Sequence, residues 1–257
     1  MLWTRGNMDV LARPVVAIVG TRKATPYGER ITRELARTLA RAGACVVSGL
    51  ARGIDGVAHR GALEVSGATC AVLGTGLDVV YPRAHAALQE QIGREGLLLS
   101  ELSPNDPAHR GSFPERNRII AALASAVIVV EAGLGSGAII TADHALELGR
   151  TVAAVPGPID VPQSAGSNRL LRDGAVPITS MADAITLMGL DAPRRADPVP
   201  QTQGEQRVLE ALRQGAAPID VLCHRSGLPA HEGMAAVSNL EMRGLIECEL
   251  TGAIRRT

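Results

Sequence analysis

The chain has 257 residues, with 46% hydrophobic and 20% charged, a globular composition long enough for one large domain or a medium domain with a small companion. Twenty-six basic residues balance 26 acidic ones, so net charge gives no support to a general polyanion binder. No apolar run reaches membrane-spanning length, no signal-peptide core follows Met1, and Cys45, Cys70, Cys223 and Cys248 form no CxxC pair. This argues against a membrane protein, a secreted disulfide scaffold and a zinc finger, and predicts reduced thiols in the cytoplasm.

With one Trp, two Tyr and one Phe, the core is left to Ala, Val, Leu and Ile. Lys23 is the single Lys among the 26 cations, and the Arg that make up the rest carry a planar fork suited to phosphates and stacked bases. In chain order, apolar runs at residues 15–19, 45–48, 69–73, 97–100, 126–130 and 152–155 read as strands. Between them, residues 28–42, 55–65, 116–124 and 138–148 read as helices, the first, second and fourth stopped at Gly43, Gly67 and Gly149. Continuous apolar strands alternating with helices predict an α/β fold, a mostly parallel sheet with helices on both faces. Such a sheet collects ligands at the carboxyl ends of its strands. Residues 191–204 carry three Pro without periodicity and read as a linker after a domain spanning 1–190. Beyond it, helical patterns at 205–213, 219–226 and 230–243, a strand at 245–250 and a turn at Gly252 predict a winged-helix-like domain over 205–257.

The chemistry is therefore sought in the loops after the strands. In the first, Gly20 lets backbone amides approach an anion, Thr21 and Thr25 add hydroxyls, Arg22 and Lys23 add charge, and a helix start follows. Phosphate contact is favoured there over a tight turn with solvated cations. The second loop brackets Arg52 between Gly49 and Gly53; Asp55 is expected to cap the next helix and to orient Arg52, and His59 to be structural rather than a base. The third, Gly74-Thr75-Gly76-Leu77-Asp78, suits phosphate or a close helix approach equally. The fourth, residues 109–118, gathers Arg110, Arg116 and Arg118 around Phe113, either a stacking platform or an inward anchor with paired Arg. The fifth, residues 131–138, offers glycines at a helix start, and Glu131 is a carboxylate without a partner acid or nucleophile at a known spacing. No catalytic constellation, metal-ligand spacing or cofactor motif emerges; five glycine-rich, partly cationic loops on one sheet edge suggest an extended polyphosphate backbone.

The segments VAIVGTRKATPYG (16–28), SGLARGIDGVAH (48–59), VLGTGLDVVYP (72–82), FPERNRIIA (113–121), VVEAGLGSGAIITA (129–142) and AVPGPIDVPQSAGSNRLLRDGA (154–175) resemble the DNA-processing protein A (DprA/Smf) family, in order from about Leu2 to Met188. The resemblance implies an extended Rossmann-like domain that binds single-stranded DNA, forms a homodimer and loads RecA recombinase during natural transformation, with no enzyme activity. Its implied DNA contacts fall on Gly20, Thr21 and Arg22, on Arg52 and Gly53, on Arg110, Phe113, Arg116 and Asn117, and on Ser136 and Gly137. Three departures stand out. Gly135 replaces the Lys or Arg common before the SG of the fifth loop. The helical domain that many members carry first is absent or cut off. The residues from Asp191 onward hold eight Arg against nine acids, a poor footprint for tight duplex binding. Two rival readings are a nucleotide hydrolase of the lysine-decarboxylase-like Rossmann branch and a nucleotide-ligand sensor. The hydrolase reading needs a Glu where Ile140 stands, just past the fifth loop.

Overall fold

The computed structural model describes residues 1–109, 111–190, 202–242, 245–248 and 252–256. Contacts divide the chain into two compact units, Met1–Pro193 and Arg194–Thr257.

The first unit runs β1 (Trp3–Gly6), β2 (Val15–Val19), α1 (Pro26–Arg41), β3 (Cys45–Ser48), α2 (Ile54–Leu63), β4 (Thr69–Val72), α3 (Ala86–Glu95), β5 (Leu97–Ser100), α4 (Ser112–Leu123), β6 (Ala126–Val129), α5 (Gly137–Glu147), β7 (Thr151–Ala154), α6 (Ala165–Arg172), β8 (Val176–Pro177) and α7 (Met181–Leu187). The strands form one eight-stranded sheet in the order β1-β5-β4-β3-β2-β6-β7-β8. All described neighbours pair in parallel except β1, which lies antiparallel to β5. Alternation along β2 shows why the apolar runs are continuous. Val15, Ala17 and Val19 enter a core shared with Ile119 and Ile120 of α4 and Ala138, Ala142 and Ala145 of α5. Val16 and Ile18 enter the opposite core with Leu35 and Leu39 of α1 and Ile54, Ala58 and Ala62 of α2. A strand buried on both faces needs apolar residues at every position.

The strands and helices read from the sequence all form, with ends shifted by a few residues. The largest shift is in α4, expected from Arg116 but beginning at Ser112. Pro114 sits in its first turn, where the missing N–H leaves no intrahelical bond unmade, so Phe113, Arg116 and Asn117 stand on the start of a helix rather than in a loop. The strand β1 had no signal, because all four of its residues are exposed.

The second unit consists of α8 (Gln203–Ala211), β9 (Ala217–Pro218), α9 (Ile219–Ser226), α10 (Ala230–Met242), β10 (Ile246–Cys248) and β11 (Ala253–Arg256). Its strands form a sheet in the order β10-β11-β9, and Leu212, Leu222, Leu240, Ile246 and Ile254 fill its separate core. Three helices and a hairpin form as expected, with the short β9 added; residue 243 of the expected third helix and residues 249–250 of the expected strand lie outside the described residues. Of the expected linker, residues 191–201 lie outside the described residues; Thr202 already caps α8 by accepting from the Glu205 amide at 3.1 Å.

Candidate nucleic-acid interface

Two adjoining clefts, of about 740 and 550 Å³, open where the loops after β2, β3, β4 and β6 meet. The strand order reverses beside β2, whose neighbours are β3 and β6, and a parallel sheet leaves a crevice at such a reversal.

The first loop is bonded to its neighbours on two sides. The Thr21 amide donates to Glu131 O at 2.6 Å, and the Ile54 amide donates to Thr21 O at 3.2 Å. Thr25 caps α1 by accepting from the Gly28 amide at 3.1 Å, while its own amide and hydroxyl donate to the two carboxylate oxygens of Glu131 at 2.9 and 2.5 Å. Glu131, the lone carboxylate of the sequence reading, is only 2% exposed and is engaged in holding this turn. Arg22 and Lys23 remain exposed above it.

The second loop departs from expectation. Gly53 takes φ +73°, and a Cβ there would overlap Thr21 O, so glycine permits the first two loops to touch. Gly53 itself, with no side-chain cap bond, occupies the cap position of α2. Asp55 turns inward and accepts from the amides of Gly49 at 3.2 Å and Ala51 at 3.4 Å. It does not orient Arg52, which is exposed and has no hydrogen-bond or ion-pair partner among the described residues. The cation facing Asp55 is Arg116. Burial pushes the Asp55 carboxyl up, against the opposing pull of Arg116.

Arg116 is 5% exposed. Its guanidinium donates to Gly49 O at 2.7 Å, to Val72 O, and to Asn117 Oδ1 at 3.3 Å. Burial lowers its pKa to about 10, with Asp55 opposing. This side chain ties the ends of β3 and β4 to α4, and its charge is largely spent on carbonyls. Asn117 extends the same floor, its Nδ2 donating to Gly137 O at 3.1 Å. Ser136 caps α5, its hydroxyl accepting from the Ala138 amide at 3.4 Å.

Phe113 stands half-buried between the clefts and lines both. The Arg22 guanidinium lies over its ring, 5.4 Å from the centroid, and Tyr81 packs against it at 5.1 Å and 37°. A Cβ at Gly74 would meet Phe113 Cδ1 at 2.6 Å. The ring is thus anchored on one side and reachable on another, joining the two alternatives that the sequence left open. The third loop is drawn onto the segment after β5: the amides of Gly76 and Asp78 donate to Asp106 O and Pro104 O, each at 2.8 Å. His59 is fully buried, its Nδ1 2.8 Å from Thr69 Oγ1. Desolvation, with His85, Arg116 and Arg60 nearby, holds its pKa down to about 3.

Of the residues singled out beforehand, Gly20, Thr21, Arg22, Phe113, Arg116, Asn117, Ser136 and Gly137 line the larger cleft. Arg52 lines the smaller one, Gly53 lines neither, and Arg110 lies outside the described residues. Sequence reasoning missed Tyr81 and Arg83 of the smaller cleft and Leu134 and Ile140 of the larger. The available signal for Tyr81 was that a chain with two tyrosines places one beside a glycine-rich loop. Among the described residues no group of three or more His, Cys, Asp or Glu is arranged to hold a metal ion, and no helix is long and apolar enough to cross a membrane.

The family profile described as DNA recombination-mediator protein A matches residues 1–189. The chain belongs to the DprA family. A second profile, the DprA winged helix domain, matches residues 192–254. A DprA-family relative from Mycobacterium tuberculosis is 44% identical over 96% of this chain and 66% of its own length, so the chain spans about two thirds of that relative. Protein Smf of Escherichia coli is 40% identical over 99% of this chain and 71% of its own. The crystal structure of DprA from Streptococcus pneumoniae superposes with a TM-score of 0.70 at 44% identity, covering 72% of this chain and 65% of that one. DNA processing protein A from Helicobacter pylori, in a structure concerned with that protein's single-stranded DNA binding mode, superposes at 0.68 with 37% identity, covering 73% and 86%.

Proposed function

We propose that this chain binds single-stranded DNA across the two clefts, shields it and delivers it to a RecA recombinase in natural transformation or recombination. It acts as a cytoplasmic homodimer that carries the strand without a catalytic step or a cofactor. The observation that carries this reading is the Arg22–Phe113 pair on the ridge between the clefts. A reachable aromatic ring with exposed Arg22, Lys23 and Arg52 around it offers stacking and phosphate neutralisation together, the combination single strands require. The H. pylori relative supports the choice of single strands. The candidate contacts are Gly20, Thr21, Arg22, Arg52, Gly53, Phe113, Asn117, Ser136 and Gly137, with Arg116 as the floor beneath them and Arg110 a further candidate on sequence grounds alone. The hydrolase reading gains no support here. Glu131 is engaged by Thr25, and Ile140 occupies the position where that reading needs a Glu.

The test is a titration of labelled single-stranded oligonucleotide at several salt concentrations, with duplex as competitor. Single strands are expected to bind tighter, and Phe113→Ala to weaken them by about 1–3 kcal/mol while leaving duplex binding unchanged. Equal affinity for both forms, with a folded Phe113→Ala variant binding like wild type, overturns the proposal. Assembly of RecA on the strand, followed with and without this chain, tests delivery; the mass of the chain in solution tests the homodimer.

A further inference from the structure

The larger cleft is chemically two-sided. Thr21, Arg22 and Lys23 give it a polar, cationic wall, whereas Leu134 and Ile140 give it an apolar one. Residues 132–141 contain no charged side chain, so this wall cannot hold a phosphate by ionic attraction. It offers apolar area instead. Leu134 is 69% exposed and Ile140, one turn into α5, is 37% exposed. An isolated exposed leucine is ordinary; one standing in the mouth of a cation-lined cleft is placed against whatever enters.

The loop presents this side chain from a fixed base. The Gly166 amide donates to Ala132 O at 2.6 Å on one side, and the Ser136 amide donates to Gly133 O at 3.1 Å on the other. Between these anchors Gly135 takes φ +78°, with no atom within 4 Å of the position a Cβ would occupy. The tip is therefore held at both ends and open around Leu134. Phe113 and Pro114 line the same cleft, so an entering group meets apolar surface from two elements and cations from a third. A nucleotide matches this division, with an apolar base face and an anionic phosphate.

We propose that Leu134, backed by Ile140, packs against a nucleobase of the bound strand while the adjoining phosphates face Arg22 and Lys23. This inference rests on the single-strand reading above and adds the side of the cleft that takes the base. The contact is available to an unpaired base, whose faces are free, and not to one stacked within a duplex. It contributes through apolar burial and is independent of salt.

The experiment compares oligothymidylate with a strand of equal length built from abasic sites, which keeps the phosphates and removes the bases. The full chain and its variants Leu134→Ala and Leu134→Trp are titrated with both strands across a range of salt. Leu134→Ala is expected to weaken oligothymidylate by roughly five-fold, about the loss of one or two buried methylene contacts, and to leave the abasic strand and the salt slope unchanged. Leu134→Trp is expected to restore or exceed wild-type affinity for oligothymidylate, with its indole fluorescence quenched on binding. Equal losses on both strands from Leu134→Ala, or no loss on either, overturn the assignment of Leu134 while leaving single-strand binding intact. Failure of the wild-type chain to bind either strand at low salt overturns the single-strand reading itself, and this inference with it. Leu134 touches no core, so thermal midpoints of the variants should match wild type; a large drop would also count against a side chain that acts only on the ligand.

Discussion

Arg52, in the loop after β3, and Arg116, in the first turns of α4, carry the same charge, yet their surroundings give them different work. Arg52 is exposed and unpartnered among the described residues, so replacing it should leave folding alone. Arg52→Ala is expected to keep the thermal midpoint and to reduce the salt slope of single-strand binding by about 0.7, one phosphate contact. Arg52→Lys should recover part of the affinity, since a point charge lacks the bidentate fork. An unchanged slope would show that this guanidinium meets no phosphate. Arg116 was not legible in this way. An Arg in a cationic, glycine-bearing segment reads as a surface contact, and nothing in the spacing reveals that the carbonyls of Gly49 and Val72 turn toward it. His59, expected to be structural, is fully buried with its Nδ1 on Thr69, and its burial has a pH consequence. The folded pKa of about 3 lies below the ordinary 6.5, so the unfolded chain binds more protons between those values. The stability linked to this ring is complete above pH 6.5 and is lost as pH falls toward 3. Denaturant midpoints measured across that range should fall less steeply for His59→Gln than for wild type. Parallel curves would mean that the ring is protonated at no cost in the folded state.

At the scale of elements, the site depends on helix starts and on the contact between loops. Strands buried on both faces leave uninterrupted apolar runs, which is why the six inner strands could be read to within a residue, while the exposed β1 and β8 at the sheet's two edges could not. The start of α4 could not, because Gly111, Phe113 and Pro114 look like a loop until the helix forms around them. Asp55 was expected to pair with Arg52 because they are neighbours in sequence; that the cation acting on it is Arg116, 61 positions away, is visible only once the sheet brings α2 and α4 together. Gly53 tests this level of organisation. Its φ of +73° and the position of Thr21 O beneath it mean that Gly53→Ala adds both backbone strain and a collision. A destabilisation of more than about 1 kcal/mol is expected, together with weakened oligonucleotide binding, because the first loop must move away from the second. A stable variant with unchanged binding would show that the two loops act separately.

Across the whole molecule, the two units have separate cores, and the clefts are built within the first. The residues from Asp191 onward carry one more acid than base, a weak start for gripping phosphates. Truncation after residue 193 is therefore expected to leave most single-strand affinity in place, as read by the same titration. Loss of most binding by a folded truncation would assign the winged helix a direct share in holding the strand.

The polar groups beneath and beside the clefts are bonded within the protein: Arg116 to two carbonyls, Glu131 to Thr25, Asn117 to the α5 start. A flexible polymer settling on such a surface surrenders its own conformational freedom, while the protein backbone beneath it has little left to lose. The entropic cost of the complex then falls mainly on the nucleic acid. Sequences that stack strongly with themselves would resist capture more than supple ones, and preference among strands would arise from their stiffness, without any side chain reading the edge of a base.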